Sequence, residues 1–283
     1  MTAPDQHVAS FHWPSTVSPL VDAGLLEQIR EREPADYFAR EYLAEWTDGS
    51  GSYFAESELT EAATGATIED LTTEGPALGL CVGGVDWGFS RDAHALAVLG
   101  ALPDLDDRGR VRFHVPYLVE RFATSYDAWI EELVATAEHV PFSTLASECN
   151  GVGQMASQVL GKAMIEAGRG DLVLPVTTTA ASKADAFGWA KVLMSQSRLV
   201  LPREPALLRQ LRALEFENLP AGGMRIAVPE RAGHDDVAMA LCLALGAAMG
   251  SDIAPIPKAE VLTAEDVFGE EAMRLDWASD WDY

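Results

Sequence analysis

Positive charge is what this chain has least of. Its 283 residues hold 20 Lys and Arg against 44 Asp and Glu, a formal net charge of −24 at pH 7. A polyanion grips phosphate backbones poorly, because that contact normally needs a basic face. The deficit is uneven. Residues 1–75 carry 15 acids and 3 arginines, and residues 251–283 carry 9 acids and 2 bases. Residues 76–250 are closer to balance, with 20 acids and 15 bases, and within 183–231 the sign reverses, eight Lys and Arg to five Asp and Glu. Either a local basic surface or ordinary solvated helix faces would account for that reversal.

Cysteine is scarce too. Cys81, Cys149 and Cys242 share no metal-ligand spacing and sit in apolar surroundings. They are read as small core residues in a reducing cytoplasm. Cys149 follows Glu148 directly, but no histidine stands nearby in sequence to activate it, so a nucleophile is not expected there. No apolar run reaches the ~18 residues that a membrane-spanning helix needs. The first 14 residues include Asp5 and His7 and have no apolar core, so no signal peptide is expected. Internal repeats and low-complexity segments are also missing.

What is present is a hydrophobic content of 48%, ample for a buried core. The apolar spacing predicts helices over 21–32 and 34–45, a breaker cluster at Asp48–Ser52, and a short turn over 57–64. A boundary is expected near Thr72–Pro76. From there the pattern becomes strand-like: 78–86, 93–102 and 111–121 read as strands, with a polar turn over 104–110. An amphipathic helix over 125–138 carries Trp129, Leu133 and Ala137 at helical spacing. Then come a strand at 144–148, a helix at 151–167, a strand at 172–176 and a helix at 182–196 with Ser182 as N-cap. A short strand at 199–201, a helix at 205–216, a strand at 225–228 and a long apolar helix at 235–249 complete the pattern. This order predicts an α/β fold, a mixed β-sheet flanked by helices and preceded by a small helical segment. Three regions are expected: a helical, acidic 1–75, a central domain over 76–250, and an acidic tail over 251–283 that ends in Trp277, Trp281 and Tyr283.

Three acidic clusters carry the chemistry. Asp86 closes the run Leu80-Cys-Val-Gly-Gly-Val-Asp86, ahead of Trp87 and Gly88. Glu148 closes a second apolar run and precedes Cys-Asn-Gly-Val-Gly153. Asp235 and Asp236 follow Gly233-His234 and open the last helix. Carboxylates at strand ends and at a neighbouring helix start can converge on divalent ions. Two such ions clamp the attacking and leaving oxygens of a phosphoryl displacement, and hard ions such as Mg²⁺ take oxygen ligands. Gly88 is read as leaving room for a phosphate against the backbone. His234 is a candidate to contact phosphate or orient water, Lys183 to reach a phosphate, and Asp92 to serve as an auxiliary acid unless it pairs with Arg91. Each also has a bland reading: Asp86 as a turn residue, Asp235 as an N-cap, Lys183 as a surface lysine.

In these motifs the chain resembles the nuclease domain of the phage terminase large subunit. The matching pieces are Gly84-Val-Asp86-Trp-Gly88, Glu148-Cys-Asn-Gly-Val-Gly153, Lys183 opening a helix that leads to Leu199-Val-Leu-Pro202, and Gly233-His-Asp-Asp236. The likeness covers about 76–250, and its specificity lies in the order and spacing of motifs that are individually weak. It implies a ribonuclease H-like fold and Mg²⁺- or Mn²⁺-dependent cutting of concatemeric double-stranded DNA during genome packaging, with two ions held by Asp86, Glu148, Asp235 and Asp236. It also implies partners: double-stranded DNA, the packaging ATPase domain, the small terminase subunit and the portal protein. The implied location is the cytoplasm of a bacterial host, transiently at the procapsid portal, with phage or prophage origin and no membrane. Residues 1–75, above all Pro34–Trp46, resemble the stretch that follows the ATPase core. The chain departs from a full terminase in having no Gly-x-x-x-x-Gly-Lys-Ser/Thr phosphate loop, so no ATP hydrolysis is expected from it alone.

Three rival readings stand beside this one. A Holliday-junction resolvase or transposase-like nuclease would use the same acids on branched DNA. An actin-like or sugar-kinase ATP-binding domain also places Asp and Gly after its first strand, but needs a second phosphate loop for which Gly222-Gly223 is a poor candidate. A non-catalytic docking module of a packaging motor would use only the acidic ends.

Overall fold

The computed structural model describes residues 11–32, 35–45, 50–75, 78–88, 92–219, 224–229 and 232–249. The acidic stretch 251–283 and Arg91 lie outside the described residues.

The first elements are α1 (Ala23–Arg32), α2 (Ala35–Tyr42), β1 (Ser50–Ser52), α3 (Glu56–Ala62) and α4 (Leu71–Glu74). The Gly/Ser cluster expected only as a breaker contributes β1. Tyr53, Phe54 and Leu59 are buried in the same core as Leu99, Phe187 and Leu245, so the chain from 50 to 62 packs directly against residues of the central region.

Next come β2 (Cys81–Asp86), β3 (His94–Ala101), β4 (Phe113–Arg121), α5 (Tyr126–His139), β5 (Phe142–Glu148), α6 (Gly153–Glu166) and β6 (Val173–Val176). The rest are α7 (Ala180–Ser195), β7 (Leu199–Val200), α8 (Pro205–Ala213), β8 (Glu215–Asn218), β9 (Met224–Ala227) and α9 (Asp236–Met249). The large sheet has the order β6-β5-β2-β3-β4-β7. β2, β3 and β4 form an antiparallel meander, β5 runs parallel to β2 and β6 parallel to β5, and β7 runs parallel to β4. A smaller antiparallel sheet has the order β1-β8-β9.

Two cores explain the layers. β2 and β3 are buried along their whole length, as strands covered on both faces must be. One face packs Trp129, Leu133, Leu160 and Met164 of α5 and α6. The other packs α7, α8, α9 and the small sheet. α9 is apolar nearly all round and 11 of its 14 residues are buried, the pattern of a helix enclosed on every side. It lies so close to β2 that a methyl group on Gly84 would overlap the Ala240 carbonyl and come within 2.5 Å of the Ala244 amide nitrogen. That contact fixes the start of α9 against the end of β2.

Several boundaries correct the sequence reading. The N-cap of α7 is Thr179, whose hydroxyl accepts from the Ser182 amide (3.1 Å). Ser182 sits three residues into the motif, with its own hydroxyl accepting from the Thr179 amide (2.9 Å). The helix expected over 205–216 stops at Ala213. The chain turns extended at Leu214, because residues 215–218 are taken into β8 by pairing on both edges. β7 ends at Val200, since the Leu201 amide donates to the Ala62 carbonyl instead (2.8 Å). α9 starts one residue later than expected, with the Asp235 carbonyl accepting its first helical bond from Met239 (2.7 Å).

Candidate metal centre

The carboxylates of the sequence motifs meet at one end of the large sheet. β2 and β5 are adjacent and parallel, with Val85 beside Ser147. The next residues, Asp86 and Glu148, therefore emerge side by side at the two carboxyl ends. The approach of α9 to Gly84 brings Asp235 and Asp236 over the same end.

Asp86 is 7% exposed. Its carboxyl is held well above the usual carboxylate range, first by burial, then by a hydrogen bond shared with Glu148, then by the charges of Glu148, Asp236 and Asp235. Among the described residues no cation offsets these charges. An acid buried among acids is costly without a compensating positive charge, and this donor set fits a divalent cation. The shell around Glu148 is orderly. Thr178 donates to Glu148 Oε1 (2.7 Å), and Asn150 in turn donates to the Thr178 hydroxyl (2.6 Å). Ser157 donates to the Glu148 carbonyl (2.9 Å), and Trp87 Nε1 donates to Ser147 (2.8 Å). Gly153 is required here, since a methyl would overlap the Glu148 carbonyl.

The two adjacent aspartates face different neighbours. Asp235 is raised by burial, offset first by the Lys183 ammonium on the opening turn of α7, and it also feels Glu148 and Asp92. Asp236 is 5% exposed. Burial pushes it up to about 6, opposed by the Ala93 amide, which donates to Oδ2 (3.2 Å). Its other neighbours are Asp92 and His234. Ligand atoms of Asp92, His234 and Asp236 all lie within 4.8 Å of one another. Asp92 pairs with His234 Nδ1 at 2.9 Å; its alternative partner by sequence, Arg91, lies outside the described residues.

Gly88 corrects a second expectation. The space beside it is filled by the backbone of Asp92 and Ala93, where a methyl would sit 2.6 Å from the Ala93 carbonyl carbon. It is glycine so that the following loop can fold back, rather than to admit a phosphate. Both polar groups of Gly88 are pinned by side chains. Its amide donates to His94 Nδ1 (3.0 Å), and its carbonyl accepts from the Tyr126 hydroxyl (2.8 Å). His94 is therefore neutral, with the proton on Nε2 donated to the Thr124 carbonyl (3.1 Å), and burial keeps its pKa low. Gln210, 3% exposed, accepts from the Ala238 amide in the first turn of α9 (2.9 Å) and donates to Glu120 (3.1 Å). Sequence reasoning missed Thr178, His94, Tyr126 and Gln210, whose bonds to Glu148, Thr124, Gly88 and Ala238 span 28 to 38 residues of chain.

The other candidates divide. The thiols of Cys81 and Cys242 are pushed up to about 12 by burial, and all three cysteines are free. Much of the basic run is already engaged. Lys191 is buried and donates to the Tyr53 carbonyl (3.0 Å), Arg198 donates to the Val111 carbonyl (2.8 Å), and Arg212 forms a two-pronged pair with Glu56. Among the described residues no helix is long and apolar enough to cross a membrane.

No protein-family model and no curated protein matches the sequence. Solved structures do match. The large terminase of bacteriophage HK97 is 12% identical with a TM-score of 0.54, over 82% of this chain and 52% of that one. The large terminase nuclease from thermophilic phage G20c with bound cobalt is 20% identical with a TM-score of 0.50, over 67% of this chain and 94% of that one. The fold is thus ribonuclease H-like. Within that class it is the form found in large-terminase nucleases, and this chain spans about half the length of the HK97 protein.

Proposed function

We propose that this chain is the nuclease part of a phage DNA-packaging terminase, a metal-dependent endonuclease that cuts concatemeric double-stranded DNA. One observation carries the reading: Asp86, buried among acids, stands with Glu148, Asp235 and Asp236 at the carboxyl end of β2 in this fold, with no cation offsetting it among the described residues. Divalent ions, Mg²⁺ or Mn²⁺ and two in number, would supply positive charge to the attacking and leaving oxygens of an in-line displacement at phosphorus. Asp86, between Glu148 and the aspartate pair, would be the ligand common to both ions. Glu148, held by Thr178, and Asp235 with Asp236 would complete the ligands. Lys183, beside Asp235, is placed to meet a phosphate oxygen of the substrate. Water then attacks phosphorus and leaves a 5′-phosphate and a 3′-hydroxyl, with no covalent enzyme intermediate.

In this reading the ATP hydrolysis that drives packaging comes from the packaging ATPase domain, and DNA is presented by that domain, the small subunit and the portal in the host cytoplasm. The net charge of −24 supports that dependence, since a free polyanion approaches DNA slowly. A panel of linear duplex, four-way junction and RNA/DNA hybrid, each with Mg²⁺ or Mn²⁺, tests the assignment. Cutting of linear duplex without preference for branches is expected. Strong preference for the junction would replace it with a resolvase, and no cutting of any substrate at low salt would replace it with a docking module.

A further inference from the structure

α8 buries Leu207, Gln210 and Leu211 on one face, three positions spaced as the core stripe of a helix should be. Two are leucine. The third is an amide only 3% exposed, and a buried amide is costly unless its polar atoms are bonded. Both are bonded. Oε1 accepts from the Ala238 amide of α9 (2.9 Å), and Nε2 donates to Glu120 Oε1 on β4 (3.1 Å). These partners dictate the orientation, since a backbone N–H only donates and an ionised carboxylate only accepts. One side chain thus ties β4, α8 and α9 together in a single arrangement. The Ala238 amide is the telling partner. The Asp235 carbonyl accepts from Met239 (2.7 Å), which makes Asp235 the N-cap of α9 and Ala238 its third residue. An aspartate at that position ordinarily turns its carboxylate back onto the amide of the second or third helical residue. Here the Ala238 amide is taken by a side chain from another helix, and the Asp235 carboxyl stands beside Lys183 and Glu148.

We infer that Gln210 is a positioning residue for the metal centre: by capping α9 from α8 it relieves Asp235 of the local capping role and leaves that carboxylate free to ligate. The inference deepens the nuclease reading; it rests on that reading for the effect on cutting, and only on the carboxylate centre for the effect on metal affinity. Without the Gln210 amide, the Asp235 carboxylate closes onto the Ala238 amide. The helix stays capped and the centre loses a ligand. Glu120 acts at one remove, since by holding Nε2 it keeps Oε1 turned toward α9.

The test titrates the full chain with Mn²⁺ by calorimetry and measures kcat and KM for duplex cutting, with circular dichroism to show that each variant is folded. Gln210→Met keeps the length of the side chain and removes both bonds. It should weaken Mn²⁺ binding by about tenfold or more, the scale of a lost partner behind a metal ligand. At saturating Mn²⁺ it should lower kcat and leave the KM for duplex unchanged. Gln210→Glu sets two carboxylates face to face and should lose affinity as well. Adding Glu120→Gln to it places a donor opposite an acceptor again and should recover most of the lost affinity, a rescue that decides the matter even if Gln210→Met is too unstable to titrate. In a cycle with Asp235→Asn, the double variant with Gln210→Met should bind Mn²⁺ no more weakly than Asp235→Asn alone, because each change removes the same ligand. Wild-type affinity in Gln210→Met, a paired exchange that recovers nothing, or losses that add in the cycle overturns the inference. Duplex cutting with a silent Gln210→Met leaves the nuclease and removes this role. Mn²⁺ binding that depends on Gln210 in a chain that does not cut does the reverse, and a wild type that binds no Mn²⁺ overturns both.

Discussion

A site built from buried acids should destabilise the protein that carries it until a cation arrives, and the effect should follow pH in a stated direction. The unfolded carboxyl titrates near its ordinary value of 3.8, and Asp236 in the folded chain titrates at about 6. Between those values the folded state holds more protons than the unfolded one. Stability therefore falls as pH rises from about 4 to about 6 and then levels off for this group. At 1.36 kcal/mol per pK unit the ceiling is about 3 kcal/mol. Solvent close to the site screens part of it, leaving about 1–2 kcal/mol. Asp86, raised by burial and by Glu148 beside it, contributes a decline of the same sign. The assay is thermal unfolding in EDTA from pH 5 to pH 8, above the pI of about 4.4 where the chain is least soluble. About half of that fall in stability lies above pH 5, so the melting temperature should drop by about 1–4 °C across that range, at about 2–4 °C per kcal/mol for a domain of this size. Mn²⁺ at one hundred times its Kd should restore about 2.7 kcal/mol, and Asp236→Asn should flatten the curve. A melting temperature that stays level or rises from pH 5 to pH 8 in EDTA, with no gain on adding Mn²⁺, would refute the reasoning.

Three further outcomes are expected. Gly84→Ala forces a methyl into the backbone of α9 and should cost at least the 1–3 kcal/mol typical of overpacking, read by denaturant unfolding; a loss under about 0.5 kcal/mol would mean that α9 is not seated as described. Thr178→Val removes the 2.7 Å hydrogen bond to Glu148; it should weaken metal binding several-fold by calorimetry while leaving the melting temperature of the metal-free chain within about 2 °C, because the position is only partly buried and a hydrogen bond is worth about 1 kcal/mol net. Lys183→Met takes away the cation beside Asp235; it should raise the KM for duplex DNA and steepen its rise with salt, and an unchanged KM would return Lys183 to the status of a surface lysine.

How far the sequence foretold the structure depends on the range of the interaction. Asp86 and Glu148 were legible because each ends a short apolar run before a glycine, and strand ends are read locally. The partners of Glu148 were not. Thr178 reaches it only because β5 and β6 pair with Glu148 beside Val176, a register that no local pattern states. The same holds for Ser50–Ser52, whose Gly/Ser composition reads as a breaker until Glu215–Asn218 pairs with it. Residues 215 and 216 left the predicted helix for the same reason. Asp235 and Asp236 were found as a pair, but the direction each faces depends on where α9 lands on Gly84. Gly88 was assigned to a phosphate when its neighbour is the chain's own Asp92–Ala93 backbone.

The central claim, that these carboxylates hold ions which cut DNA, is tested most directly on supercoiled plasmid with Mn²⁺ or Mg²⁺, comparing wild type, wild type with EDTA, and Asp86→Asn. The account predicts nicking and linearisation by wild type, abolished by EDTA and by the single substitution, with the variant still folded by circular dichroism. Cutting by Asp86→Asn at the wild-type rate would contradict it.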